Sequence, residues 1–116
     1  MADLLETIVE AIDDKRGKNI ISLDLTALDG AITDTFVICN ADSTTQVAAI
    51  ADGVEEMVEE KLGRRVIRVE GKQNGLWVVM DYGEVMVHIF QTEMREFYAL
   101  EAMWADAELA RHGTES

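Results

Sequence analysis

Trp77-Val78-Val79-Met80-Asp81-Tyr82-Gly83-Glu84-Val85-Met86-Val87-His88-Ile89-Phe90 is the stretch that decides the fold. Two apolar runs rich in β-branched residues flank Asp81-Tyr82-Gly83-Glu84, whose glycine accepts positive φ, so the segment predicts a β-hairpin. A two-residue and a four-residue loop give the same pairing, with Met80 opposite Val85, Val78 opposite Val87 and Leu76 opposite Ile89. Side chains alternate across a strand, so these six share one sheet face. All are aliphatic or methionine, as a face packed under helices requires. The other face receives Trp77, Val79, Asp81, Glu84, Met86, His88 and Phe90. Arg68 and Glu70 join it if the preceding strand buries Ile67 and Val69. Large aromatics and a methionine among charges are too polar for a core and too apolar for a plain solvated surface. That mixture is enriched at protein–protein interfaces, where Trp and Met anchor and a charged rim orients. The competing reading is that the C-terminal helix folds over this face and buries Trp77 and Phe90.

Upstream of the hairpin, Leu4, Leu5, Ile8, Val9 and Ile12 recur at helical spacing, with Gly17 as a stop. Residues 20–25 read as a strand. Residues 35–40 are apolar and β-branched without alternation, which suits a central strand covered on both faces. Ser43-Thr44-Thr45-Gln46 fits a capping box, and Val47, Ile50, Ala51, Val54, Met57, Val58 and Leu62 follow on one helical face. The opposite face carries Asp52, Glu55, Glu56, Glu59 and Glu60, a solvated charge run, and Gly63 ends the helix. Residues 65–70, 76–81 and 85–90 are three further strands, with Asn74-Gly75 and Tyr82-Gly83 in the turns. A last helix starts near Thr92 or Glu93 and carries Met94, Phe97, Tyr98, Leu100, Glu101, Met103 and Trp104. The order α-β-β-α-β-β-β-α predicts an α/β (α+β) single domain, a mixed five-stranded sheet with helices packed against it. Residues 1–110 form that domain, and the polar end, 111–116, is expected to be disordered.

The chain has 116 residues, enough for one core and too few for two. It has no run of about 18 apolar residues and no basic segment leading into an apolar one, so a soluble cytoplasmic protein is expected. A single cysteine, Cys39, permits neither an intramolecular disulfide nor a Cys-based zinc site. Net charge is −13, from 23 acidic against 10 basic side chains. Phosphate binding needs clustered cations, whereas Lys15-Arg16-Lys18 and Arg64-Arg65 are small clusters without interleaved aromatics. Direct specific nucleic-acid binding and an anionic membrane are therefore not expected. The acidic surface either keeps the protein soluble or meets a basic protein partner.

Little in the chain could perform chemistry. Only His88 and His112 accompany the one cysteine, so neither a metal nor another cofactor is implied. Gly71, Gly75 and Gly83 are turn glycines, not a phosphate loop. Paired carboxylates for two magnesium ions would need to share one strand face. The only Asp-x-Glu is Asp106-Ala107-Glu108, placed in the expected C-terminal helix. Nothing marks a base beside Ser22, Ser43 or Cys39. No catalytic residue is assigned and no enzyme is expected.

Several segments together resemble the ribosomal silencing factor (Iojap-related) family. They are Ile32-Thr33-Asp34-Thr35-Phe36-Val37-Ile38-Cys39, Ser43 to Ala51, Glu70-Gly71, Trp77-Val78-Val79-Met80-Asp81-Tyr82-Gly83 and Val87-His88-Ile89-Phe90. Arg95, Phe97-Tyr98, Leu100-Glu101 and Trp104 complete a match over roughly residues 3 to 108. The resemblance implies a fold similar to the nucleotidyltransferases without their catalytic carboxylates. It also implies binding to a basic protein of the large ribosomal subunit, the fourteenth, where the factor sterically prevents small-subunit joining and lowers translation when nutrients are short. The family's signature positions fall on Trp77, Asp81, Tyr82, His88, Phe90, Arg95, Tyr98, Glu101 and Trp104. Joined to the face analysis, the expected partner-binding set is Trp77, Val79, Asp81, Tyr82, Met86, His88, Phe90, Arg68 and Glu70. Two alternatives remain: a nucleotidyltransferase-type enzyme, on fold resemblance alone, and a homodimer using the exposed face.

Overall fold

The computed structural model describes residues 3–27, 33–98 and 108–112. The elements run α1 (Leu4–Asp14), β1 (Lys18–Asp24), β2 (Thr35–Ala41), α2 (Thr44–Leu62), β3 (Arg68–Glu70), β4 (Trp77–Asp81), β5 (Val85–Gln91), α3 (Thr92–Tyr98) and β6 (Glu108–Arg111). They form a mixed α+β domain around one sheet of order β3-β4-β5-β2-β1-β6. β2 and β5 pair in parallel at its centre, and every other pair is antiparallel. The unalternating run 35–40 is thereby explained: Phe36, Val37, Ile38 and Cys39 are all buried, because both faces of β2 are covered.

The helices begin and end where local chemistry directs. Asp3 caps α1 by accepting from the Glu6 N–H at 2.8 Å, while the Glu6 carboxylate accepts from the Asp3 N–H at 3.2 Å. Ser43 caps α2, accepting from the Gln46 N–H at 3.1 Å. The expected return bond from Gln46 is not made. Its side-chain amide instead donates to the carbonyls of Lys15 and Arg16, tying the start of α2 to the end of α1. Gly63 closes α2 in the left-handed conformation, φ 65°.

The sheet carries two apolar layers. On one face Leu4, Ile8 and Ile12 of α1 and Val47, Ile50, Val54 and Val58 of α2 pack on Val37, Cys39, Val78, Met80, Val87 and Ile89. Each such side chain contributes roughly 1.5–3 kcal/mol on full burial. On the other face Ile21, Leu23, Leu25, Phe36, Ile38 and Phe90 form a second cluster, with Trp77, Met86 and Met94 of α3 packed against it.

Four expectations are corrected. The sheet has six strands, not five. Glu108-Leu109-Ala110-Arg111 pairs with the outer edge of β1, whose N–H and C=O groups would otherwise lack strand partners. Arg111 closes that strand, and just beyond it the His112 N–H donates to the Ile20 carbonyl at 2.8 Å, so both are held against β1 instead of lying in a tail. Residues 113–116 lie outside the described residues. Second, β3 begins only at Arg68; Val69 packs inward as expected, but Ile67 is 66% exposed. Third, β4 begins at Trp77, which leaves Leu76 41% exposed at its entrance instead of under the helices.

The fourth correction is the hairpin register. Met80 lies opposite Val87 and Val78 opposite Ile89, two residues beyond the expected partners. The loop is Gly83-Glu84, closed by the Tyr82 N–H donating to the Val85 carbonyl at 2.9 Å. Gly83 takes φ 96° at the first loop position, where a two-residue hairpin favours glycine. A shift of two preserves every strand side chain's face, so the predicted partition stands for β4 and β5, Leu76 excepted, although the partners change. Helix α3 starts at Thr92 as expected, whereas Leu100, Glu101, Met103 and Trp104 lie outside the described residues.

Candidate functional site

The candidate partner surface is built on the sheet face opposite α1 and α2. Trp77 and Phe90 are directly opposed on β4 and β5, and their rings stack with centroids 5.0 Å apart at 24°. Val79 opposes His88, which places His88 diagonally from Trp77, within reach of its long side chain. The Trp77 indole N–H donates to His88 Nδ1 at 3.1 Å. Phe36, from β2, meets the imidazole edge-on at a centroid distance of 4.6 Å. An imidazole accepting at Nδ1 is neutral with its proton on Nε2. Burial enforces that state, lowering the His88 pKa from 6.5 to about 4. Nε2 itself is buried and finds no hydrogen-bond partner among the described residues.

The nine expected residues separate into three groups. Trp77, Val79, Asp81 and Met86 are half-buried and Arg68 and Glu70 are exposed, so these six line one accessible patch. Arg68 and Glu70 approach each other at 3.8 Å on its rim, a solvated pair of little energetic weight. His88 and Phe90 lie beneath the patch, 5% and 0% exposed, and support it without reaching the surface. Tyr82 is corrected outright. Alternation turns it to the helix-covered face, where it is 1% exposed and cannot meet a partner directly. Burial also pushes its phenol pKa up to about 12.

Asp81 does more than line the rim. Its Oδ1 accepts from the Gly83 N–H at 2.8 Å, which holds the hairpin turn. Glu84, expected on the same face, instead forms a two-point pair with Arg64 at 2.7 and 3.0 Å, and the Arg64 guanidinium holds its carboxyl below the usual range. Arg64 also donates to the Tyr82 carbonyl at 2.9 Å. Beneath Trp77, Gly71 at φ 87° lies against the Trp77 carbonyl, where a Cβ would collide. Nothing local in the sequence marks Arg64 or Gly71 for this support, because the contacts that reveal it span 20 and 6 residues of chain.

Arg95, a signature position, acts inside the fold. Its guanidinium donates to the Asn19 carbonyl at 2.6 Å and to Asn40 Oδ1 at 2.9 Å. Asn40 donates in turn to Thr92 Oγ1 at 2.9 Å, and Thr92 donates to Asp42 at 2.8 Å. This network fastens α3 to β1 and β2. Asn40 in an otherwise apolar strand was the available signal for it: a buried amide needs partners. Glu101 and Trp104 lie outside the described residues, and of Tyr98 only its backbone position at the end of α3 is described. Among the described residues no three of His, Cys, Asp and Glu are grouped to hold a metal ion, and no helix is long and apolar enough to cross a membrane.

The chain as a whole is similar to known proteins. The model for "ribosomal silencing factor during starvation" matches residues 1–115. A ribosomal silencing factor of Bacillus subtilis is 38% identical over 107 residues, covering 92% of this chain and 89% of its own. One from Halalkalibacterium halodurans is 37% identical over 105 residues, covering 90% and 88%. The crystal structure of a Chromobacterium violaceum protein superposes with a TM-score of 0.83 at 33% identity, over 88% of this chain and 83% of that one.

Proposed function

The chain belongs to the ribosomal silencing factor family, and from that premise we propose that it is a cytoplasmic translational repressor acting by occlusion. It binds the large ribosomal subunit through a basic ribosomal protein, the fourteenth, and stands where the small subunit must land. Translation falls while it is bound, as suits a shortage of nutrients. The observation that carries this reading is the patch of Trp77, Val79 and Met86, partly exposed on a rigid sheet and rimmed by Arg68, Glu70 and Asp81. Apolar anchors within a charged rim are the anatomy of a specific interface, and about 800 Å² per partner suffices for one. The net charge of −13 favours a basic partner and speeds the encounter. Occlusion needs no chemistry, only a rigid body in the right place.

Sedimentation tests this directly. Purified protein mixed with separated subunits should travel with the large subunit on a sucrose gradient. It should also reduce the light-scattering signal of subunit joining when added before the small subunit. Protein remaining at the top of the gradient, with joining unaffected, would sink the proposal.

A further inference from the structure

We propose that His88 is a positioning residue for Trp77: its Nδ1 holds the indole in the orientation presented to the ribosomal partner. The inference rests on the reading of Trp77 as an interface anchor and adds a residue that itself touches no partner.

A half-exposed tryptophan on a strand has several rotamers, and confining them during binding opposes association. Here the confinement exists beforehand. Phe90 supports one ring face of Trp77 at 5.0 Å, and His88 Nδ1 fixes the rotation by accepting the indole N–H at 3.1 Å. The acceptor is itself immobile. His88 is 5% exposed, and the Phe36 ring abuts it at 4.6 Å from the adjacent parallel strand. Three strands therefore fix one indole. The choice of histidine is costly, because its Nε2–H is buried without a partner among the described residues. Phenylalanine or leucine would fill the space without that penalty, so packing alone does not account for an imidazole here. An acceptor aimed at Trp77 does. Burial, which keeps the ring neutral, also keeps Nδ1 available to accept.

The test compares His88→Asn with His88→Leu. The two replacements have nearly the same shape and lose the ring contacts equally, but only asparagine can offer an oxygen near the Nδ1 position. His88→Phe, which keeps a ring without an acceptor, is the well-packed reference. The Trp77 indole N–H resonance, identified by its loss in Trp77→Ala, reports the bond, and titration with purified large subunits reports binding. In His88→Leu and His88→Phe the resonance should move upfield and exchange faster with solvent. Affinity should fall about fivefold, the worth of one neutral hydrogen bond. His88→Asn should recover both resonance and affinity, although it melts no higher than His88→Leu. A purely structural role would make affinity follow melting temperature instead. Equal affinities for Asn and Leu, or a displaced indole with undiminished binding in His88→Phe, would overturn the positioning role while Trp77→Ala still binds weakly. If Trp77→Ala binds as tightly as the unmodified protein, the anchor reading itself falls.

Discussion

The two faces of the β4–β5 hairpin are made from alternate residues of the same strands, yet they are held by different physics. On the helix-covered face Val78, Met80, Val87 and Ile89 are wholly buried and aliphatic. Their contribution scales with area and depends little on direction. On the other face Trp77, His88 and Phe90 are related by a stack and a directed hydrogen bond, with Val79 and Met86 half in solvent. Both faces stabilise the domain by burying apolar area, and the second adds directed contacts that orient one ring. Substitutions on the two faces should therefore fail in different ways.

The largest effect belongs to the covered face. Val87→Asp buries a carboxylate without a partner, at a cost of several kcal/mol, comparable to a small domain's whole stability. Circular dichroism and a melting curve should find that variant unfolded or insoluble. A folded Val87→Asp protein would mean that the faces are exchanged.

Acid separates the faces next. His88 is held near pKa 4 in the folded chain against 6.5 in its ordinary state. Between those values the unfolded chain takes up a proton that the folded chain refuses. The His88 contribution to stability is therefore full above about pH 6.5, falls as pH drops through the window, and is exhausted below about 4. The gap is worth about 3 kcal/mol. Urea midpoints measured from pH 7 to pH 4.5 should fall accordingly, and His88→Asn should flatten the slope. An unchanged slope in that variant would assign the pH dependence to other groups.

Trp77→Ala should leave the fold largely intact, because the ring is partly exposed at the edge of the second cluster, and weaken large-subunit binding by about 2 kcal/mol, the hot-spot range. Its melting curve and gradient position must be taken together: loss of fold would make Trp77 a core residue first and an anchor second. The smallest effect is expected at the turn joining the faces. Arg64→Ala removes the solvent-exposed pair with Glu84 and the bond to the Tyr82 carbonyl, together worth about 1 kcal/mol of stability, so a loss of binding beyond the loss of stability would show that the turn itself is part of the interface.

Short-range signals were legible because their causes are local. The Ser43 cap, the Gly63 stop and the start of α3 at Thr92 each depend on a few neighbouring residues. The support beneath the site was not, because its partners lie far apart: Arg95 reaches Asn19 and Asn40, and Arg64 reaches Glu84. Nor does Glu108-Leu109-Ala110-Arg111 carry strand character, since none of its residues is β-branched or aromatic. It is a strand because β1 offers an unpaired edge more than 80 residues earlier in the chain.

Which side chains share a face was decided by sequence alone, because alternation has period two and survives any even shift of register. Which residues stand opposite one another was decided by tertiary structure. Gly83 at φ 96°, the Asp81 carboxylate on its N–H and the Arg64 clamp on Glu84 place the turn one position later than the sequence pattern suggested, moving each partner by two. Depth was decided there as well. Trp77, His88, Phe90 and Met86 all point to the same side, but alternation is blind to what covers that side. Phe90 joins Ile21, Leu23, Phe36 and Ile38 of β1 and β2 in one cluster, with Met94 of α3 packed against it; His88 and Phe90 are buried there, while Trp77 and Met86 stay partly in solvent.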